Sequence, residues 1–555
     1  MPILSASQGG RTPGEESNAE SPKVAAAGAR TPPARRRISW QTQVWLVLAA
    51  VVVGGVAVKV FGRPYKFFDM WIYHGAMEWW TSGGELYEFI APTTTLGYTY
   101  PPFAALTMLP IAALSTHVAG WINVVVSVVA LGVVLAVLLV PIADRCGWPR
   151  GLTVAIALPL ALALEPSRET LGFGQVNLLL FLLIIGDLVA LRLRRDPRPA
   201  ATARSAASRF WYSGAWAGVG VGLATAIKVT PGLFIVYFLV ARQRRAAAVA
   251  TLTAAGATGV GWLLAPRESL SYFTSMLWQT DRVGAADFTP NQALSGLLAR
   301  LYDQPERPGL LWLSFAALFL ALGLSRAVAA HKEGDELAAF TLVGLTAAVV
   351  SPISWTHHLV FVLPAIVVLG DAALRRRAAA QRLGLGGAGF TFAGLRYATM
   401  AFAVFVVFLI SPVWWVHHRL DRGGSHYDSG LWGLLAENSM ILCMLLLLAV
   451  MPWRPGAEPA FPPPGLKHRA TLLRSLTDRA GAGRNHAGGI RRDHASGATH
   501  DHGSGATRDH AGGAGGSAAA RRAQAATPSR SAAGTGGAAA GREDGADPGP
   551  VRTGP

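Results

Sequence analysis

Long apolar runs constrain this chain more than any motif in it. Runs of about twenty residues fall at 42–61, 118–140, 171–191, 246–265, 309–329 and 430–452. Each is long enough to cross the ~30 Å hydrocarbon core of a bilayer as one helix. Shorter runs occupy 102–115, 151–164, 213–227, 230–241, 338–351, 357–370 and 397–412, and in a multi-span protein such pieces serve as half-helices buried in the bundle. Composition agrees. Hydrophobic residues make up 51% of the 555 positions and charged residues 15%, whereas a soluble globular chain carries about 25% charged residues. Tryptophans near the ends of the runs (Trp71, Trp79, Trp80, Trp121, Trp355, Trp414, Trp415) suit an aromatic belt at the membrane surface.

The formal charge of +17 would suggest nucleic acid in a soluble protein. Here the arginines cluster between apolar runs, so the positive-inside rule accounts for them and no nucleic-acid partner is expected. Arg35–Arg37, the loop 192–209, Arg242 with Arg244 and Arg245, Arg326 with Lys332, Arg375–Arg377 with Arg382, and Arg454 mark cytoplasmic ends. The loops 62–101, 266–308, 352–356 and 413–429 then lie outside the cell, and the turn at Lys228–Pro231 points outward. Parity fails only between 102 and 171, where one of the runs 102–115 and 151–164 is expected to be re-entrant. The first run starts near Val44 with no small-residue cleavage site before it, so it reads as an anchor rather than a signal peptide.

Three regions follow: a polar, cytoplasmic, disordered N-terminus (1–40), a transmembrane domain (41–452), and a low-complexity cytoplasmic tail (453–555). The tail has no aromatic residue after Phe461 and too little apolar material to bury a core. Its imperfect repeat places His after each of Asp493, Asp501 and Asp509. His500, Asp501 and His502 could touch a metal, but the composition favours a solvated tail, and no metal or cofactor is expected. Cys146 and Cys443, far apart and both beside apolar runs, give neither a disulfide framework nor a metal spacing.

Polar residues in a membrane protein tend to mark function, and here they gather on the outer side. The first outer loop, KFFDMWIYHGAMEWWTSGGELYEFIAPTTTLGYTYPPFAAL at 66–106, is long for a connector. Its 67–80 stretch has the spacing of an amphipathic surface helix. Asp69 stands at its start, where it is either a functional carboxylate at the lipid–water boundary or a helix N-cap. A second cluster, EPSRETLGFGQVNLLL at 165–180, offers Glu165, Arg168, Gln175 and Asn177, or else an ion pair with amide contacts between helices. In GLATAIKVTPGLF, 222–234, Lys228 interrupts two short helices and could meet an anion or snorkel to the interface. SPISWTHHLVF, 351–361, carries adjacent His357 and His358, of which at most one should face a shared site if the segment is helical. WWVHHRLDRGGSHYD at 414–428 and the residues Trp278, Asp281, Arg282, Asn291, Gln292 and Arg300 are weaker candidates. Aromatics and amides (Tyr73, Tyr100, Gln175, Asn177, Trp355), with Glu165, suit a sugar or its acceptor; the cations suit a phosphate. No Asp-x-Asp and no Walker motif occurs, which argues against a metal-bound nucleotide sugar, so a lipid-linked donor is the natural substrate for an enzyme facing outward.

At these residues the chain resembles the bacterial membrane mannosyltransferases of glycosyltransferase family 87. The matching stretches, in the family's order, are FFDMWIYHGA, YTYPPFAAL, LGFGQVNLLL, GLATAIKVTPGLF, NQALSGLLAR and SPISWTHHLVF. The resemblance implies the GT-C architecture: an all-α polytopic protein of about 11–13 transmembrane helices, with a long first extracytoplasmic loop carrying surface helices. It further implies an inverting, plasma-membrane α-1,2-mannosyltransferase that moves mannose from polyprenyl phosphate mannose to a phosphatidylinositol mannoside or lipomannan acceptor at the extracytoplasmic face. Asp69 matches the acidic residue that acts as base in such families. The phosphate is assigned from position and chemistry to Lys228, His357, His358 and Arg168. Rival readings are a transferase for another lipid-linked sugar (arabinose or glucose) and, from a different class, a membrane transporter, against which the lack of an internal repeat speaks.

Overall fold

The computed structural model of the chain describes residues 38–457 except 197, 280, 385–386 and 416–424. The tail with its Asp-His repeats, almost all of the N-terminal segment, and His417 and His418 lie outside the described residues. In chain order the helices are α1 (Trp40–Phe61), α2 (Phe68–Thr81), α3 (Pro102–Met108), α4 (Thr116–Cys146), α5 (Arg150–Leu162), α6 (Glu165–Phe173) and α7 (Asn177–Arg195). Next come α8 (Arg198–Ala201), α9 (Ala206–Ser213), α10 (Val219–Ile227), α11 (Leu233–Val240), α12 (Arg244–Leu264), α13 (Pro266–Thr274) and α14 (Leu294–Tyr302). The last are α15 (Gly309–Lys332), α16 (Glu336–Val350), α17 (Val362–Arg382), α18 (Gly387–Phe392), α19 (Leu395–Ile410), α20 (Gly430–Glu437) and α21 (Ser439–Val450). Among the described residues no strand forms beyond the isolated bridges Ile90–Gly97 and Asn291–Trp355. The protein is an all-α, multi-pass membrane protein.

Five of these segments are long and apolar enough to span a bilayer alone: α1, α4, α12, α15 and Leu395–Trp414. Two bent pairs, α5 with α6 (70°) and α20 with α21 (66°), raise the count to seven. The higher expected number needs helices that are short or carry charge. α7 contains Asp187 and a basic last turn, and α17 contains Asp371 and Arg375. The 70° bend after Leu162 makes 151–164 the run that ends in a break. α16 is only 15 residues, but every residue from Glu336 to Val349 is buried, as expected of a helix apolar on all sides. α15, α17 and α21 pack around it, while α7 and α12 hold α10 between them.

Two ends of the bundle differ in chemistry. One collects the basic termini. There Arg454 binds Asp335 at 2.6 Å and Asp371 at 2.9 Å, and Asp371 also takes Arg375 and Arg145. Nearby, Glu336 accepts from Tyr237 Oη at 2.6 Å and pairs with Arg195 at 2.7 Å. Charges buried in such places need full pairing. Asp187, within α7, is likewise satisfied: its carboxylate accepts the Gly220 and Val221 N–H groups at the start of α10, at 3.2 and 2.7 Å, where the helix dipole favours negative charge.

The other end carries α2 and the loops before α14 and α20. Asn291 and Gln292 act here as ties rather than ligands. Asn291 Oδ1 accepts from Ser354 N at 3.0 Å, and Gln292 joins Glu437 O and Ile441 N. Arg300 is fully buried and binds Asn438 Oδ1 at 2.9 Å. His426 sits 3.0 Å from Glu437 and 3.8 Å from Asp287. Burial opposes its charge, but the two carboxylates outweigh that and raise its pKa to about 9. A raised imidazole pKa stabilises the fold fully below the unfolded value and ceases to do so as pH climbs through the folded one. The gap in thermal midpoint between wild type and His426→Asn, in detergent, should therefore be largest at pH 6 and close by about pH 10; a gap constant with pH would contradict the arrangement.

Candidate active site

The loop after the first span does form a helix at 68–81, but it packs inward: Met70, Ile72, Tyr73, His74, Ala76 and Met77 are buried. Its entrance is unusual. Lys66 and Phe67 both have φ of +53°, a left-handed backbone that non-glycine residues rarely adopt. The Phe67 N–H donates to Gly172 O at 2.9 Å, holding the turn. Phe67, not Asp69, occupies the N-cap position, and no side chain caps the helix. The capping role open to Asp69 is thus unfilled. Instead Asp69 Oδ2 accepts a hydrogen bond from Gln175 Nε2 at 2.6 Å.

Gln175 reaches that carboxylate because α6 ends at Gly174 with φ of +77°, where a Cβ would come within 2.6 Å of Met70 Cβ. Only glycine lets the chain turn so close to α2. From Gln175 a continuous polar chain runs onward. Its Oε1 accepts from Tyr100 Oη at 2.8 Å, and Tyr73 Oη donates to Tyr100 Oη at 3.2 Å. Lys228 Nζ lies 3.5 Å from Tyr100 Oη, 3.2 Å from Asn177 Oδ1 and 2.8 Å from His358 Nε2. The proline pair after Tyr100 starts α3, and Lys228 falls in the break between α10 and the turn that leads into α11.

The histidines divide. His358 faces Lys228, its ring fixed by the Trp355 N–H, which donates to Nδ1 at 3.1 Å. His357 is 5% exposed, and neither ring nitrogen has a hydrogen-bond partner among the described residues. Glu169 Oε2 stands 3.6 Å from its Nδ1. Asn177 Nδ2 is also buried and unpartnered. Buried polar atoms without partners are rare, and a bound group is one way of satisfying them. Burial, the largest influence, pushes the Asp69 carboxyl above the ordinary carboxylate range, while the His357 ring, the Gln175 amide and Lys228 pull the other way. A raised carboxyl is a stronger base once ionised.

Beside Lys228 and His358 lies a cavity of about 70 Å³ whose other walls are mostly apolar, among them Leu180, Phe181, Phe234 and Phe361, with Asn177, Thr230 and Ser354 the polar exceptions. A cationic head over an apolar slot suits a lipid carrying a phosphate.

The family model for glycosyltransferase family 87 matches residues 98–352. The polyprenol-phosphate-mannose-dependent alpha-(1-2)-phosphatidylinositol mannoside mannosyltransferase of Mycobacterium tuberculosis is 35% identical over 361 residues, covering 62% of this chain and 78% of that protein. The protein of the same description from Mycolicibacterium smegmatis is 31% identical, covering 75% and 89%. The chain belongs to glycosyltransferase family 87. A phosphatidylinositol pentamannoside mannosyltransferase of Mycolicibacterium smegmatis, likewise polyprenol-phosphate-mannose-dependent, is 29% identical over 63% of this chain and 80% of that protein. No solved structure matches the chain.

In this glycosyltransferase the family match contains Tyr100, Gln175, Asn177 and Lys228, while Asp69 and the histidines flank it. The structure joins those residues and Tyr73, but not every residue expected. Glu165 and Arg168 are ion-paired with each other. Arg168 also donates to Leu409 O at 2.7 Å and Ser411 Oγ at 2.8 Å, and Glu165 accepts from Trp414 Nε1 at 2.7 Å. These contacts tie α6 to the end of α19. Trp355 packs against Phe288 and over Gly284, and its backbone N–H orients His358. Trp80 and Trp414 are turned inward as well, Trp80 to Glu268 at 2.8 Å. Glu169 and Arg63, which the sequence did not single out, pair at 3.1 Å. Glu169 also accepts from Thr356 Oγ1, fixing the histidine turn. Glu169 follows Glu165 by one helical turn, and that spacing was the available signal.

Gly174→Ala is expected to destabilise by roughly 1–3 kcal/mol, through backbone strain and the Met70 clash, and to depress glycosyl transfer by displacing Gln175. Thermal unfolding and transfer assays in detergent check this; unchanged values in both would contradict the packing.

Proposed function

We propose that the protein transfers mannose from polyprenol phosphate mannose to a phosphatidylinositol mannoside acceptor, forming an α-(1-2) linkage with inversion. The observation that carries the reading is the single polar chain from Asp69 through Gln175 and Tyr100 to Lys228 and His358. It puts one carboxylate at one end of a compact site and the Lys228 amine, beside a neutral His358 ring, at the other, next to a largely apolar slot. The relatives act with polyprenol-phosphate-mannose on phosphatidylinositol mannosides by description, which matches that pairing.

Asp69 is the base. As the acceptor oxygen attacks the anomeric carbon, its proton passes to the Asp69 carboxylate and the carbon–oxygen bond to the phosphate breaks. The bonding pair leaves with polyprenyl phosphate. Lys228 and His358 meet the charge that builds on that phosphate, and His357 and Asn177 offer unspent polar atoms to the sugar. Tyr73 and Tyr100 hold the Gln175 amide so that Asp69 keeps its orientation. The reaction belongs on the extracytoplasmic face of the plasma membrane: α7 and α17 run from the site toward the arginine-rich end, and arginine-rich ends stay inside. A transporter would gather such residues near mid-bundle between similar halves, whereas these gather around helix starts and breaks.

Purified protein supplied with polyprenyl phosphate mannose and phosphatidylinositol mannosides should give an α-1,2-linked product. Asp69→Asn is expected to lower turnover by about 10²–10⁴-fold while donor binding persists; near-normal turnover would remove Asp69 as base. Because a base works only when ionised, activity should fall as pH drops through the Asp69 pKa. Gln175→Ala removes a hydrogen bond to the charged form, so this acid limb should move to higher pH. A limb that stays put would disconnect Gln175 from the base.

A further inference from the structure

On the side of α2 turned away from Asp69 lies a broad groove of about 680 Å³, lined by Trp71, Glu78, Trp79, Thr81, Ser82 and Phe89. Residues 71, 75, 78 and 82 share that face, roughly opposite 69 and 73. We propose that this groove is a second carbohydrate site, holding neutral sugar units of a mannose-bearing acceptor remote from the hydroxyl that reacts. The inference rests on the acceptor class proposed above.

Trp79 is exposed yet fixed, and Trp71 and Phe89 beside it are half-buried. Trp79 is 47% exposed, but its indole N–H donates to Glu85 O at 3.1 Å and its ring lies where a Cβ on Gly84 would come within 2.2 Å. Phe89 packs over Gly75, at 2.6 Å from a Cβ built there. An indole that anchors a protein to lipid keeps its N–H for the wet interface; this one has used it to lock the ring. Locked aromatic faces suit the C–H side of a pyranose, because the π face is negative and those hydrogens are slightly positive. Hydroxyls at the rim of the same sugar need acceptors. The Glu78 side chain is 58% exposed and stands 3.3 Å from His74 Nδ1, which orients it. Thr81 and Ser82 donate to helix carbonyls, leaving oxygen lone pairs outward.

Charge selects the occupant. Glu78, Glu85 and Glu88 are all exposed in this region, so anionic headgroups and phosphates are repelled here, in contrast to the Lys228 end of the site. A neutral polyhydroxyl ligand meets no such penalty. Position fits too. Glu78 lies nine residues from Asp69, about 14 Å along the helix axis, so one glycan can reach around α2 to both places.

The test uses the full-length protein in lipid nanodiscs. Saturation-transfer NMR with soluble α-linked mannotriose, with no donor present, reads the groove directly. Wild type and Asp69→Asn should both give the signal, and Trp79→Ala should lose most of it. Trp79→Phe, which keeps a ring, should restore it and controls for folding. With donor, Trp79→Ala and Glu78→Gln should raise KM about tenfold for acceptors bearing several mannoses, leaving kcat and the KM of a monomannosylated acceptor unchanged. An undiminished trisaccharide signal in Trp79→Ala overturns the proposal. So does an equal KM change for short and long acceptors, or an effect that tracks the anionic lipid content of the disc, which would make the groove a lipid contact. Should the wild type transfer no mannose, the donor-free NMR arm still decides the groove while the transfer reading alone fails.

Discussion

The Gln175 carboxamide has a donor end and an acceptor end, and both are used: Nε2 donates to Asp69 and Oε1 accepts from Tyr100. A planar amide held at both ends cannot rotate, so it transmits the position of one partner to the other. The Asp69 carboxylate thereby acquires a fixed direction although its own helix supplies no cap. Everything beyond Tyr100 is registered to the same amide, including Lys228 and, through it, His358. Remaining parts of this end serve that registration: the left-handed pair at Lys66–Phe67, the glycine turn at Gly174, and the Glu169–Thr356 contact that fixes the histidine turn.

Much of this was legible in the sequence, since polar side chains that interrupt apolar runs are costly unless used. Asp69, Tyr73, Tyr100, Gln175, Asn177, Lys228 and the two histidines all stand out on that ground, and they meet. Glu165 and Arg168 stand out just as clearly and do not join them. They are three residues apart on one helix and close on each other, a pairing that sequence permits without deciding. Trp355 and Trp414 look like interfacial anchors at the ends of apolar runs but turn inward, Trp414 to the Glu165 carboxylate and Trp355 against Phe288. Membrane-spanning helices were legible where they are long. They blur where a span is broken, as after Leu162, or where a buried charge such as Asp187 lowers the hydropathy of a helix and is satisfied by the start of another.

The same accounting separates the two ends of the bundle. At the arginine-rich end the described carboxylates Asp335, Glu336 and Asp371 are saturated by guanidinium, hydroxyl or imidazole partners. At the α2 end, His357 and Asn177 keep unpartnered atoms next to an apolar slot. Saturated networks hold helices together; incomplete ones leave room for a ligand.

The hydrogen bond between Asp69 and Gln175 spans 106 positions of chain. A ribosome adding 5–20 residues per second needs about 5–20 s to make that stretch. Throughout that interval the early carboxylate stands beside a strained turn with neither Gly172 nor Gln175 yet synthesised. His358 emerges another 183 positions after Gln175. The site is therefore a late product of biosynthesis, closed by segments that arrive long after the first helices have been threaded, and a nascent chain carries the carboxylate well before it carries anything able to aim it.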